Sequence, residues 1–270
     1  MILDRNIIRI AKNGMAMWFP EYSDILLSHK IIHTQNGGTF PKKINVSIGN
    51  KEFILEQGIE KGMFILLNKT GDQDCLTIVI DPKAKLAIIQ EISGRRETCP
   101  SGSELLELSI KCIKENKNIL GVNKIVLKDN SLKSCYGIRV NFSDMYMLMY
   151  GKTWYMTHGF YPYKESINDI DYKLKQIAID NFNILKHATI DKLPNLLTWI
   201  KKYGRNFTKK LMKLIETEPK MKVYNFIAYV LKPNSTYDKD RCYFFSEIYE
   251  DIMRELGIIS LHAKTFAMDI

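Results

Sequence analysis

The sequence predicts a mixed α/β domain built on a mostly antiparallel sheet flanked by helices, continued by a C-terminal helical extension. Three observations carry that expectation. Between residues 44 and 92, short β-branched or apolar runs alternate with turn residues, at the spacing of an antiparallel meander. From Ser101 the apolar period lengthens toward 3.6, and helix, strand, helix and strand patterns follow in turn. After residue 163 the pattern is helical almost throughout. The expected organisation is a lead-in over 1–43, an α/β domain over 44–163 and a helical extension or small helical domain over 164–270.

The lead-in reads as irregular or short-helical and ends in the breaker cluster "NGGTFPKK". "INVSIG" and "EFILE" flank Gly49-Asn50, a strong hairpin signal, and "MFILLN" and "CLTIVI" are further runs of strand length. "DPK" turns the chain into "AKLAIIQEI", residues 84–92. In "SELLELSIKCIKEN", Leu106, Ile110 and Ile113 recur at helical spacing, with Leu105 and Leu108 widening the buried face. The strand "NKIVL" follows, residues 123–127, then a helix expected from Asp144 to His158 with Ser143 as N-cap and Gly159 as its stop. "FYPY" is read as a last strand. Five helices are expected beyond it, broken at Pro194, Gly204, Pro219 and Pro233.

At 270 residues the chain is long enough to bury a proper core, and 46% hydrophobic with 26% charged residues excludes wholesale disorder. No segment approaches the roughly 18 consecutive apolar residues of a membrane span, and Asp4, Arg5 and Arg9 interrupt any signal-peptide core, so no membrane association and a cytoplasmic location are expected. Cys75, Cys99, Cys112, Cys135 and Cys242 are odd in number, widely spaced and without a C-x-x-C pair, which predicts reduced thiols. The net charge of +9 favours polyanionic partners or ligands. Abundant lysine, isoleucine and asparagine resemble proteins of AT-rich genomes such as those of large DNA viruses, so codon usage is a second source of the lysine excess.

Chemistry is announced most plainly by "SGRRETCPSGSELLEL", residues 93–108, between a strand-like and a helix-like run. Glycines and first-turn amides at a helix N-terminus can cradle a phosphate, helped by the positive end of the helix dipole. Ser101-x-x-Glu104 is equally a capping box, which satisfies those amides without a ligand. Arg95 and Arg96 are placed either to grip phosphate oxygens or to form a solvated basic edge.

Taken together, residues 81–163 resemble the core of the GNAT superfamily of N-acetyltransferases. "DPKAKLAIIQEIS", "RRETCPSGSELLEL", "VNKIVLKDNS" and "WYMTHGF" occur in the order of that family's hairpin turn, central strand, phosphate loop and helix, next strand, and helix ending in Y-x-x-x-G-F. The resemblance implies acetyl-coenzyme A (acetyl-CoA) as the acyl donor and a small-molecule or protein amine as acceptor. It implies cofactor contacts from the backbone at Ile89 and Glu91, from Arg95 and Arg96, and from Ser101, Gly102 and Ser103. It further implies Glu91 as the base for the incoming amine and Tyr155, four residues before Gly159, as the acid for the departing thiolate. Pro100 stands where the first loop glycine belongs and has no N–H to donate, and Glu97 occupies the family's Arg/Gln position. Core packing for Tyr155 and an ordinary edge position for Glu91 are the alternatives. At the level of the whole protein, the alternative is a catalytically inactive interaction or virion-associated protein of the same fold.

Two other signals compete. His29 and His33, at i and i+4, have metal-chelating spacing but no committed third ligand, so a packed or solvated pair without metal is expected. Residues 192–232 carry ten Lys or Arg against Glu216 and Glu218, interleaved with Trp199, Tyr203, Phe207, Tyr224 and Phe226. That pattern fits nucleic-acid binding or the lysine-rich solvent face of amphipathic helices. "GKT" at 151–153 is no P-loop, because Tyr146 stands where the motif needs glycine.

Overall fold

Alternating apolar and polar residues pair into strands because one face can then be buried while every backbone amide finds a neighbour. The computed structural model describes residues 41–48, 51–57, 63–67, 74–93, 99–135, 138–232 and 238–270. It divides into two units: residues 129–264 form one, and the described residues up to 128 with 265–270 form the other. The segment 44–163 therefore contributes to both. His29 and His33 lie outside the described residues, as do Arg95, Arg96 and Glu97.

In the first unit along the chain, β1 (Lys43–Ile48), β2 (Lys51–Gln57), β3 (Met63–Leu67), β4 (Asp74–Asp81) and β5 (Leu86–Ile92) form an antiparallel meander. β1 and β2 are in register from Lys43↔Glu56 to Ile48↔Lys51, the two-residue spacing expected of the Gly49-Asn50 turn, although those two residues lie outside the described ones. β4 and β5 are joined by a tight turn in which Asp81 Oδ1 accepts from the amides of Lys83 and Ala84, both at 3.0 Å. β6 (Lys124–Lys128) then pairs parallel with β5, which requires a crossover, and α1 (Gly102–Leu120) supplies it.

Helix α1 begins with a complete capping box. The Ser101 amide donates to Glu104 Oε2 at 2.9 Å, and the Glu104 amide donates to Ser101 Oγ at 3.2 Å. It ends at Gly121, whose φ of 68° is left-handed. Leu105, Leu106, Leu108, Cys112 and Ile113 bury one face against β1, β4 and β5. Each fully buried leucine or isoleucine contributes about 1.5–3 kcal/mol, so this face rather than helix propensity holds α1 down.

The expectation that the chain stays helical from residue 164 onward is corrected at its end. Thr265–Asp269 is a strand, β11, paired antiparallel with β6 from Thr265↔Lys128 to Asp269↔Lys124. The helical extension is present, but the chain returns from it to the sheet.

The other unit contains the hairpin β7 (Leu132–Cys135) and β8 (Ile138–Asn141), and the short pair β9 (Tyr161–Lys164) and β10 (Asp169–Ile170). Its helices are α2 (Phe142–Tyr150), α3 (Trp154–Thr157), α4 (Tyr172–His187), α5 (Leu196–Tyr203), α6 (Thr208–Thr217), α7 (Val223–Leu231) and α8 (Asp238–Leu256). The single helix expected from Asp144 to His158 is two helices. Gly151 takes φ 70° and ends α2, because a Cβ there would lie 2.5 Å from the Phe182 ring, and Thr153 caps α3. Ser143 is buried within α2 and is not its N-cap; Asn141 holds that position without a side-chain bond. Asn181, buried on α4, holds the 258–264 segment with two hydrogen bonds to Ile259, at 2.7 and 3.0 Å.

The cysteines also depart from expectation. Cys75 and Cys99 are joined by a disulfide with a Cα–Cα distance of 5.6 Å, and Cys242 is likewise disulfide-bonded, whereas Cys112 is a free, buried thiol. Burial pushes the Cys112 thiol up to about 12, which makes it inert at neutral pH.

Candidate functional site

In the sheet unit, the residues singled out by sequence gather where β5 ends and α1 begins. The parallel ladder between β5 and β6 runs from Leu86↔Lys124 to Ile89↔Leu127 and stops there, although β5 continues to Ile92. On its other side, Thr77 pairs with Glu91 and Ile78 with Ile89, so Gln90 is the extra residue of a β-bulge. Bulges re-aim backbone groups, and this one falls where the two parallel strands part. Ile89 is buried; Gln90 and Glu91 are both exposed, which two consecutive residues of a regular half-buried strand would not be.

Cys75 anchors the chain at both Ser93 and Cys99. Cys75 on β4 accepts a hydrogen bond from the Ser93 amide at 2.8 Å through its carbonyl, and its sulfur is bonded to Cys99. Cysteine spacing alone gave no hint of this. At the helix start, the capping box occupies the amides of Ser101 and Glu104, leaving Gly102 and Ser103 as first-turn donors. Nothing lies within 4 Å of where a Cβ on Gly102 would sit, so the backbone is open to approach there. Glu104 brings its own negative charge to that helix end.

Glu91 lies exposed at the end of β5, where its Oε1 accepts a hydrogen bond from Ser93 Oγ.

Tyr155 belongs to the other unit. It is buried on α3 against Trp154 and Phe160, with ring centroids 5.0 and 6.0 Å away. Burial, with a smaller contribution from Asp129, holds its phenol well above the usual tyrosine range, so it is protonated throughout the physiological range.

Near it lies a polar cluster that sequence reading missed. Asp129 is fully buried; its Oδ1 accepts from Ser131 Oγ at 2.5 Å and from the Ser131 amide at 3.2 Å. Asp144 accepts from Ser260 Oγ at 2.6 Å, and Ser260 Oγ in turn accepts from the His262 amide at 3.1 Å. Asp129 Oδ2 and His262 Nδ1 are buried without a partner in hydrogen-bonding geometry. Desolvation raises both carboxyls above their ordinary values, against the opposing pull of serine hydrogen bonds and of His262. Its members are separated by over a hundred residues, which hides the cluster from any local motif.

Among the described residues, no helix is long and apolar enough to cross a membrane, and no group of three or more His, Cys, Asp or Glu is placed to hold a metal ion. Comparison of the chain with protein-family models, with curated proteins and with solved structures finds no match.

Proposed function

We propose that this chain is an N-acetyltransferase of the GNAT type, taking acetyl-CoA at the β5–α1 junction and passing the acetyl group to an amine. The observation that carries the reading is the parting of β5 from β6 after Ile89↔Leu127, beside the bulge at Gln90 and just before a capped crossover helix. Such a junction offers strand backbone to an acyl chain and first-turn amides to a phosphate. In this reading Gly102 and Ser103 receive phosphate oxygens, and the backbone around Ile89 and Glu91 polarises the thioester carbonyl. The amine attacks the thioester carbon, with Glu91 accepting its proton. The C–S bond breaks as the tetrahedral intermediate collapses, and the departing coenzyme thiolate takes a proton from solvent.

A second reading keeps the fold without the chemistry, as a non-catalytic interaction protein. It is favoured by the completed capping box, in which Glu104 already answers the helix dipole, and by Pro100 in place of a donor. A thermal-shift titration with acetyl-CoA separates the two. Ligand at about 100 times its dissociation constant stabilises the protein by about 2.7 kcal/mol; no shift at millimolar ligand refutes the acyltransferase. If binding is seen, Glu91→Gln should lower kcat while leaving affinity unchanged, and unaltered turnover removes its role as base.

A further inference from the structure

We propose that α5, the turn after it and α6 form a docking surface for single-stranded nucleic acid, with Arg205 stacked on Tyr243 as its base-stacking platform. Residues 192–215 contain seven Lys or Arg and no Asp or Glu. The fold sorts them by burial. Leu196, Trp199 and Ile200 of α5 and Leu211 of α6 face inward, which leaves Lys201, Lys202, Arg205, Lys209, Lys210 and Lys213 exposed.

A solvated lysine face would need nothing more, but the turn between the helices is specialised. Arg205 has φ 48°, a left-handed conformation rare for a residue with a side chain. Gly204 before it cannot carry one, because a Cβ would meet the Ile200 carbonyl oxygen at 2.5 Å and Thr208 Oγ1 at 2.6 Å. The turn sets the Arg205 guanidinium over the Tyr243 ring at 3.5 Å from its centroid. Tyr203 stands edge-on to Tyr243 at 6.4 Å, and the Lys202 ammonium lies 4.7 Å over the Tyr203 ring.

The outcome is a guanidinium–phenol stack at the surface, flanked by lysines. Planar guanidinium and aromatic groups stack on nucleobases, and surrounding lysines neutralise phosphates. A duplex hides its base faces, so a stacking platform selects single strands. The acids nearest the platform are on α8: Asp240, which accepts from Asn206 Nδ2 at 3.1 Å, and Glu247, which lies toward Lys202. Glu216 marks the far end of α6. Glu255 of α8 accepts from Asn195 Nδ2 at the start of α5.

The test is fluorescence anisotropy of a labelled oligothymidylate of about 20 nucleotides with the full chain, titrated against salt. Binding should weaken with salt, and the triple change Lys209→Ala, Lys210→Ala and Lys213→Ala should reduce the slope of log K against log salt by about 2, at about 0.7 per phosphate contact on a single strand. Arg205→Lys and Tyr243→Leu, each with an unchanged thermal midpoint, should keep most of that slope and weaken binding at least about fivefold through lost stacking. Absence of binding at low salt overturns the proposal. So does equal or tighter binding of the corresponding duplex or of anionic phospholipid vesicles, or wild-type affinity in both platform variants.

Discussion

Replacing Cys99 with serine removes the bond that ties the approach to α1 onto β4. The disulfide spans 24 residues, and in the chain-entropy account closing a loop of that length removes about 3.5 kcal/mol of unfolded-state freedom. The remaining tether at Cys75, from the Ser93 amide, holds only the β5 side of residues 94–98. The variant should therefore open more readily in β4 and in the first turns of α1, while the capping box between Ser101 and Glu104 survives in the closed state. Hydrogen exchange followed by mass spectrometry reads this locally. Protection at 74–81 and 101–113 should fall by up to roughly 300-fold, the equivalent of that free energy. Reduction of the wild-type chain by dithiothreitol should reproduce the loss. Because Cys242 is also disulfide-bonded, the same treatment of the variant provides the control, and only the difference between the two is assigned to Cys75–Cys99. Protection in the variant within about threefold of wild type, a change below about 1 kcal/mol, would refute the reasoning.

Two further outcomes follow from the helical unit. Burial raises the Asp129 and Asp144 carboxyls, so the folded chain retains protons that the unfolded chain has released; their contribution is present below the ordinary aspartate value of 3.8 and is lost as pH rises through the higher folded values. Asp129→Asn should flatten that decline in urea titrations taken upward from the ordinary aspartate value of 3.8, and an unchanged pH slope would contradict it. Gly151→Ala combines a left-handed φ with a methyl group 2.5 Å from the Phe182 ring, and should cost about 1–3 kcal/mol by thermal or urea unfolding. Phe182→Leu in the same chain should recover part of the loss, and a Gly151→Ala cost below about 0.5 kcal/mol would discount the clash.

The most local features were the most legible. The Ser101-x-x-Glu104 pair predicts the start of α1, "DPK" its β4–β5 turn, and the apolar period the five helices from α4 to α8, because each is decided by residues a few positions apart. At the candidate site, the adjacent polar pair Gln90-Glu91 inside an apolar strand is a visible sign of the bulge. The rest depended on distant neighbours. Nothing near Gly151 in the chain reveals the Phe182 ring that denies it a side chain, so α2 and α3 read as one helix. Nothing in a spacing of 24 residues says that β4 passes beside the approach to α1, so the disulfide was invisible. β11 is five residues long, follows a long helix and depends on the exposed edge of β6, a partner more than a hundred residues earlier.

That late strand also sets an order of events during synthesis. The chain leaves the sheet unit after Lys128 and rejoins it at Thr265, so the strand that completes β6 emerges only after the whole intervening unit has been made. At about 5–20 residues per second the delay is roughly 7–27 s, long compared with helix and hairpin formation. Through that interval β6 presents an unfilled edge, of the kind that invites pairing with other chains. The nascent protein is therefore exposed to mispairing and to chaperones at one identifiable strand, and that exposure ends when residues 265–269 arrive.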